Sequence, residues 1–178
     1  MKNIYFIHTY TGTILSRIVK FYTKKPYSHI SFALDDSLNR MYSFGRLNPY
    51  NPFIGGFVIE NVNRGTFKRF NKTKTVIYKY SITDEQYNKL KADIRYFLRN
   101  HRKFKFNTLG LFFVMFNKRI ERKNHFYCAE FVKYCMEKEN IITNLPQIVK
   151  PEDFIKVKEM HQVYTGRLHD YDKLKLVA

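Results

Sequence analysis

The chain opens on a short β-type run, Asn3 to His8, and then changes period. After Thr11-Gly12-Thr13, the residues Ile14, Leu15, Ile18, Val19 and Tyr22 recur at helical spacing, which predicts a helix that stops near Lys24 ahead of Pro26. Ser28 to Leu34 alternates, with Ile30, Phe32 and Leu34 on one face and His29, Ser31 and Ala33 on the other. A further strand, Arg40 to Phe44, follows the polar turn at Asp35-Asp36-Ser37. Gly45 to Gly56 holds two prolines, three glycines and two asparagines and reads as an ordered loop before a strand at Phe57 to Asn61.

Thr75 to Ser81 is β-rich. Thr83 with Gln86 has the form of a capping box, and Tyr87, Leu90, Ile94 and Phe97 carry one apolar stripe to about Asn100. Phe104 to Phe116 reads as a second, more buried helix. In Phe126 to Lys138, the residues Cys128, Phe131, Val132, Cys135 and Met136 fall on one helical face, so both cysteines belong to the buried side. Glu152 to Val157 predicts a short helix and Gln162 to Leu168 a terminal strand. No internal repeat or interdomain linker interrupts the pattern, and residues 1–178 read as one domain.

Composition narrows the class. With 44% apolar and 17% aromatic residues the chain can bury a real core, and disorder is excluded. Lys and Arg outnumber Asp and Glu by 32 to 15, a net charge of +17, which attracts phosphate polyanions and anionic membrane surfaces whatever the fold. The excess is spread over Lys20 to Lys25, Lys68 to Lys74, Arg99 to Lys105 and Lys118 to Lys123 and marks no single site. Two cysteines make no disulfide framework, and no Cys/His spacing has the form of a zinc site. The longest greasy stretch, Leu109 to Phe116, is far short of the ~20 residues that span a bilayer. The expectation is a cytoplasmic protein with no cofactor.

Chemistry enters with Cys128. A thiol attacks as the thiolate, and a helix N-terminus or a neighbouring imidazole favours that form. Cys128 begins its helix, whereas Cys135 lies two turns further in, where it serves as a small buried hydrophobe. His29 is the candidate base: Ser31 and Ala33 on its strand face are small enough to let a helix end approach. His8, at the end of the first strand, is a reserve base, and His101, His125, His161 and His169 read as solvated.

The stretch Pro26-Tyr27-Ser28-His29-Ile30-Ser31-Phe32-Ala33-Leu34, followed much later by Phe126-Tyr127-Cys128-Ala129-Glu130-Phe131-Val132, resembles the circularly permuted papain-like hydrolases, the YiiX-like branch of the NlpC-type superfamily. In ordinary papain-like enzymes the Cys helix precedes the His strand; here the order is reversed. Tyr42-Ser43-Phe44-Gly45 and Val163-Tyr164-Thr165-Gly166-Arg167-Leu168 extend the likeness, while 68 to 124 match only in element order. The resemblance implies an α+β fold with an antiparallel sheet packed against the nucleophile helix. It also implies attack on a carbonyl through a Cys128 thioester, with His29 as base and the Cys128 backbone N–H among the oxyanion donors.

The departure lies in the group that orients the imidazole, often an acid in such enzymes. The matching position is Ser43, which can bond imidazole but cannot offset a full imidazolium charge; Glu60 or a backbone carbonyl is the alternative. Three functions compete: an amidase or peptidase acting on a small amide or peptide, a hydrolase or acyltransferase acting on lipid at an anionic membrane, and a silent basic module for nucleic acid. The last has no recognised nucleic-acid motif in its favour. A lipid enzyme should leave Phe104 to Phe116 partly exposed beside the cleft, and an amidase should bury it.

Overall fold

The computed structural model describes residues 1–48, 51–114 and 116–171. Its strands are β1 (Lys2–Tyr10), β2 (His29–Ala33), β3 (Met41–Asn48), β4 (Asn51–Glu60), β5 (Lys74–Ile82), β6 (Lys105–Phe106), β7 (His125–Phe126) and β8 (His161–Arg167). They form one eight-stranded sheet in the order β7-β6-β4-β3-β2-β1-β5-β8, antiparallel except for the β6–β7 pair. The helices are α1 (Ile14–Thr23), α2 (Gly65–Arg69), α3 (Asp84–Arg99), α4 (Thr108–Val114), α5 (Cys128–Lys138) and α6 (Pro151–Ile155), with a 3-10 turn at His101–Lys103. The architecture is mixed α+β.

Strand alternation gives the sheet two apolar faces. Phe6, Ile30, Phe32, Phe44 and Phe57 pack with Leu90, Ile94 and Phe97 of α3 and Phe131 of α5. On the other face Ile7, Ala33, Met41 and Ile77 pack with Phe67 of α2 and with Leu168. Local signals set the helix ends. The Thr13 hydroxyl accepts from the Ser16 N–H at 3.3 Å and Lys24 closes α1 in the left-handed region at φ 54°. In α3 the Gln86 N–H donates to Thr83 Oγ1 at 3.1 Å while Gln86 Oε1 accepts from the Thr83 N–H at 3.0 Å, the reciprocal box its sequence predicts. No helix among the described residues is long and apolar enough to cross a membrane.

Two expectations fail. Gly45 to Gly56 is not a loop but the body of a hairpin, with Gly45 opposite Gly56 and Arg46 opposite Gly55; positions 49 and 50 lie outside the described residues. Its glycines serve packing. A Cβ on Gly55 would lie 2.7 Å from Phe106 Cβ and 2.9 Å from the Gly45 carbonyl oxygen, so only glycine lets β6 close on β4. Phe104 to Phe116 is likewise not one buried helix. Lys105 and Phe106 extend the sheet edge, Asn107 accepts the Gly110 N–H at 2.9 Å to start α4, and Leu109, Phe112 and Phe116 are each about half exposed. An apolar run in the sequence does not say which face of a short helix meets a partner.

Gly55→Ala is therefore expected to destabilise the fold by roughly 1–3 kcal/mol through overpacking at the β4–β6 contact. Urea unfolding should show a lower midpoint at unchanged m-value; an unaltered midpoint would mean the strands separate freely.

Candidate active site

The start of α5 is held by its flanks. Tyr127 precedes the helix, donates its backbone N–H to Glu130 Oε2 at 3.1 Å and its hydroxyl to the Val149 carbonyl at 2.9 Å. The Asn107 amide donates to the Ile120 carbonyl at 3.0 Å and reaches Glu130 Oε2 at 3.4 Å, tying α5 to the start of α4. Burial pushes the Glu130 carboxyl above its usual range, and the bonds from Tyr127 and Asn107 pull against it. Cys128 is thus presented at the first turn, 4% exposed, where backbone N–H groups have no helical acceptor. Cys135 is sealed in the core, and its burial raises the thiol well above its ordinary value.

His29 faces Cys128 from the first residue of β2. Its Nε2–H donates to the Glu60 carboxylate, 3.0 Å from Oε1 and 3.1 Å from Oε2. With Nε2 taken, Nδ1 is the nitrogen left to serve the Cys128 thiol, which lines the same cavity. Burial opposes charge on the ring, but the charge and hydrogen bonds of Glu60 and the neighbouring Cys128 outweigh it and hold the imidazole well above its ordinary value. His29 keeps 20% of its side-chain surface, enough to be reached from solvent. Gly45 borders the pair: a Cβ there would sit 3.6 Å from Glu60 Oε1 and 3.8 Å from His29 Cε1.

Ser43 does not serve His29. Its hydroxyl is fully buried and donates to the Ile30 carbonyl at 2.7 Å, so it stitches β3 to β2. Glu60, at the end of β4, stands in the orienting position. The route by which Cys128 reaches His29 also differs from expectation. The helix does not rest on Ser31 and Ala33; it packs on the opposite face through Phe32 and Phe131, whose rings stack at 5.8 Å. The meeting is possible because His29 ends its strand, where a helix start on one face can touch a ring leaving from the other.

His8, opposite Ile30 on β1, is buried between Tyr27 and Tyr78 at ring distances of 6.3 and 5.8 Å. Burial, and then the charge on His29, lower its pKa to about 3, so it stays neutral. His101 and His125 each bond a nearby backbone carbonyl, of Leu98 and Lys123. Among the described residues no three His, Cys, Asp or Glu side chains converge to hold a metal ion.

Cys128, His29 and Glu60 line a cavity of about 90 Å³ together with Leu15 and Val19 of α1, Leu111 of α4, Gly45 and Arg46. Arg46 went unrecognised as a site residue because the sequence placed it in a loop. No protein-family model, curated protein or solved structure matches the chain.

The histidines give stability opposite pH slopes. His29, raised in the folded state, contributes stabilisation that is complete below its unfolded value of 6.5 and is lost as pH rises through its folded pKa. His8, depressed to about 3, contributes above pH 6.5 and loses that contribution as pH falls. In urea denaturation the stability difference between wild type and Glu60→Gln should be largest near neutral to mildly acidic pH and shrink toward alkaline pH. A difference independent of pH would show that Glu60 acts by packing and not by charge.

Proposed function

We propose that the chain is a thiol-dependent acyl hydrolase or acyltransferase of permuted papain-like type. The observation that supports it is the convergence, in one cavity, of a cysteine at a helix start, an imidazole, and a carboxylate bonded to one nitrogen of that imidazole. In this reading Cys128 Sγ attacks a carbonyl carbon and its proton is held on His29 Nδ1. The tetrahedral oxyanion forms beside the first-turn N–H of α5, collapse breaks the bond to the leaving group, and Nδ1 returns the proton to that group. Water or an acyl acceptor, deprotonated by the same nitrogen, then cleaves the thioester and restores the thiol. Glu60 orients the ring and offsets the imidazolium charge.

A lipid acyl substrate is favoured over a small amide by the exposed apolar surface of the two helices that also line the cavity. Ile14, Phe21 and Tyr22 of α1 and Leu109 and Phe112 of α4 are exposed, Phe21 by 78%, and Tyr22 meets Phe116 at 6.2 Å across the two segments. Residues 11–26 carry Arg17, Lys20, Lys24 and Lys25 and no acid, and residues 107–120 carry Lys118 and Arg119 and no acid. Aromatic side chains amid cations suit an anionic bilayer surface.

Two measurements test these readings. Near neutral pH iodoacetamide should label Cys128 roughly ten- to a hundredfold faster than Cys135, and His29→Ala should abolish the advantage. Equal, slow labelling of both cysteines would sink the catalytic reading and leave a binding module. Sedimentation with phosphatidylglycerol vesicles should show binding that weakens about tenfold in Phe21→Ser, the loss expected for one inserted ring. Binding unaffected by that substitution and by high salt would refute the lipid preference.

A further inference from the structure

The corner of the cavity formed by β3 and the start of α1 is built from donors. Arg46 Nη2 donates to Thr13 Oγ1 at 2.7 Å, and that same oxygen lies 3.3 Å from the Ser16 N–H and 3.3 Å from the Thr11 hydroxyl. Arg46 and the Ser16 N–H fill the two lone pairs of Thr13 Oγ1, so the contact between the Thr11 and Thr13 hydroxyls uses one of their two hydrogens and leaves the other free. Among the described residues Arg46 has no carboxylate partner. Its neighbours in charge and ring contact are Arg69 and Phe70, and burial followed by the Arg69 charge makes its cationic form harder to hold. The single acidic side chain among the described cavity residues, Glu60, is bonded to His29. A guanidinium that is half-buried, crowded by a like charge and left without an anion sits in the same small cavity as the nucleophile.

We propose that Arg46, with the Thr11 and Thr13 hydroxyls, is the seat for an anionic oxygen group, phosphate or carboxylate, carried by the substrate whose carbonyl Cys128 attacks. The assignment rests on reading Cys128 as the nucleophile and names the substrate class of that site. Arginine suits the task because its planar fork can donate to Thr13 through one nitrogen and to an anion through others. Arg46, Thr11, Thr13 and Cys128 line the same small cavity, so the anion and the carbonyl lie close together in one substrate.

Two alkylating agents of nearly equal size separate charge recognition from thiol reactivity: iodoacetate, an anion, and iodoacetamide, neutral. The rate ratio of iodoacetate to iodoacetamide at Cys128, read by mass spectrometry of the full chain, should fall about tenfold in Arg46→Gln, the loss of one charge-assisted bond. Arg46→Lys should restore part of it, and Lys91→Gln, which removes one exposed charge from α3, should leave it as in wild type. A ratio in Arg46→Gln equal to that of Lys91→Gln overturns the proposal, and so does a parallel fall of both rates. Inorganic phosphate and phosphatidylglycerol vesicles are compared as protectants of Cys128. Protection by both that is lost in Arg46→Gln assigns the seat to phosphate as such, and protection by vesicles alone, lost in the same variant, assigns it to a headgroup. Protection by neither, or protection that survives the substitution, counts against it. Equal, slow iodoacetamide labelling of Cys128 and Cys135 would defeat the hydrolase reading, whereas the ratio judges the anion seat separately.

Discussion

Phe131 lies one helical turn after Cys128 and is fully buried, its ring 5.0 to 5.8 Å from those of Phe97, Phe44, Phe57 and Phe32. Those four rings come from α3 and from three strands of the sheet, so one side chain fixes the height and rotation of α5 against all of them. Emptying such a position typically costs about 3–5 kcal/mol, a large share of the stability of a small domain. The position of Sγ is inherited from this packing, because a helix start cannot move without the turn that follows it. Asn107, Glu130 and Tyr127 add the fine placement by hydrogen bonds at the end where the core gives out.

The two histidines near this helix start show how neighbours, more than burial, decide what a titratable group becomes. His8 and His29 lie on adjacent strands in adjacent register pairs. His8 is enclosed by aromatic rings, and desolvation leaves it neutral. His29 suffers desolvation too, yet a carboxylate on one nitrogen and the neighbouring thiol reverse the outcome. The charged ring then raises the cost of protonating His8, so only one of the two imidazoles carries a charge. A serine at the orienting position could not have produced this difference, since a hydroxyl dipole offsets far less imidazolium charge than a carboxylate does.

Much of this was legible before the coordinates. Period changes located β1, α1, α3 and α5, and Cys128 and His29 were singled out by helix start and strand position. What was not legible depended on pairing. Glu60 is legible in the sequence only as the alternative to Ser43 for orienting His29; the choice between them depends on hairpin length, which a loop at Gly45 to Gly56 conceals. The same reading concealed Arg46. Small residues on the His29 face suggested the wrong docking side for α5, because alternation identifies faces and does not say which helix covers each. The exposed half of α4 was unreadable for a related reason: seven helical residues are too few for a periodic stripe to separate core from surface.

On the proposed reading, cavity size and surface chemistry constrain each other. A space of about 90 Å³ beside Cys128 suits the reacting carbonyl and the atoms next to it better than a whole acyl chain or an extended peptide. Whatever carries that carbonyl then lies mostly outside, along α1 and α4, which also line the cavity. Those two helices, with Phe116 just past α4, present Phe21, Phe112 and Phe116 to solvent, an apolar surface that an apolar phase would cover. A small amide would leave these rings uncovered during turnover. A lipid brings its own apolar phase, so the side chains exposed in the free protein become the contacts that hold the substrate, and the small cavity need recognise only the reacting group and the charge beside it.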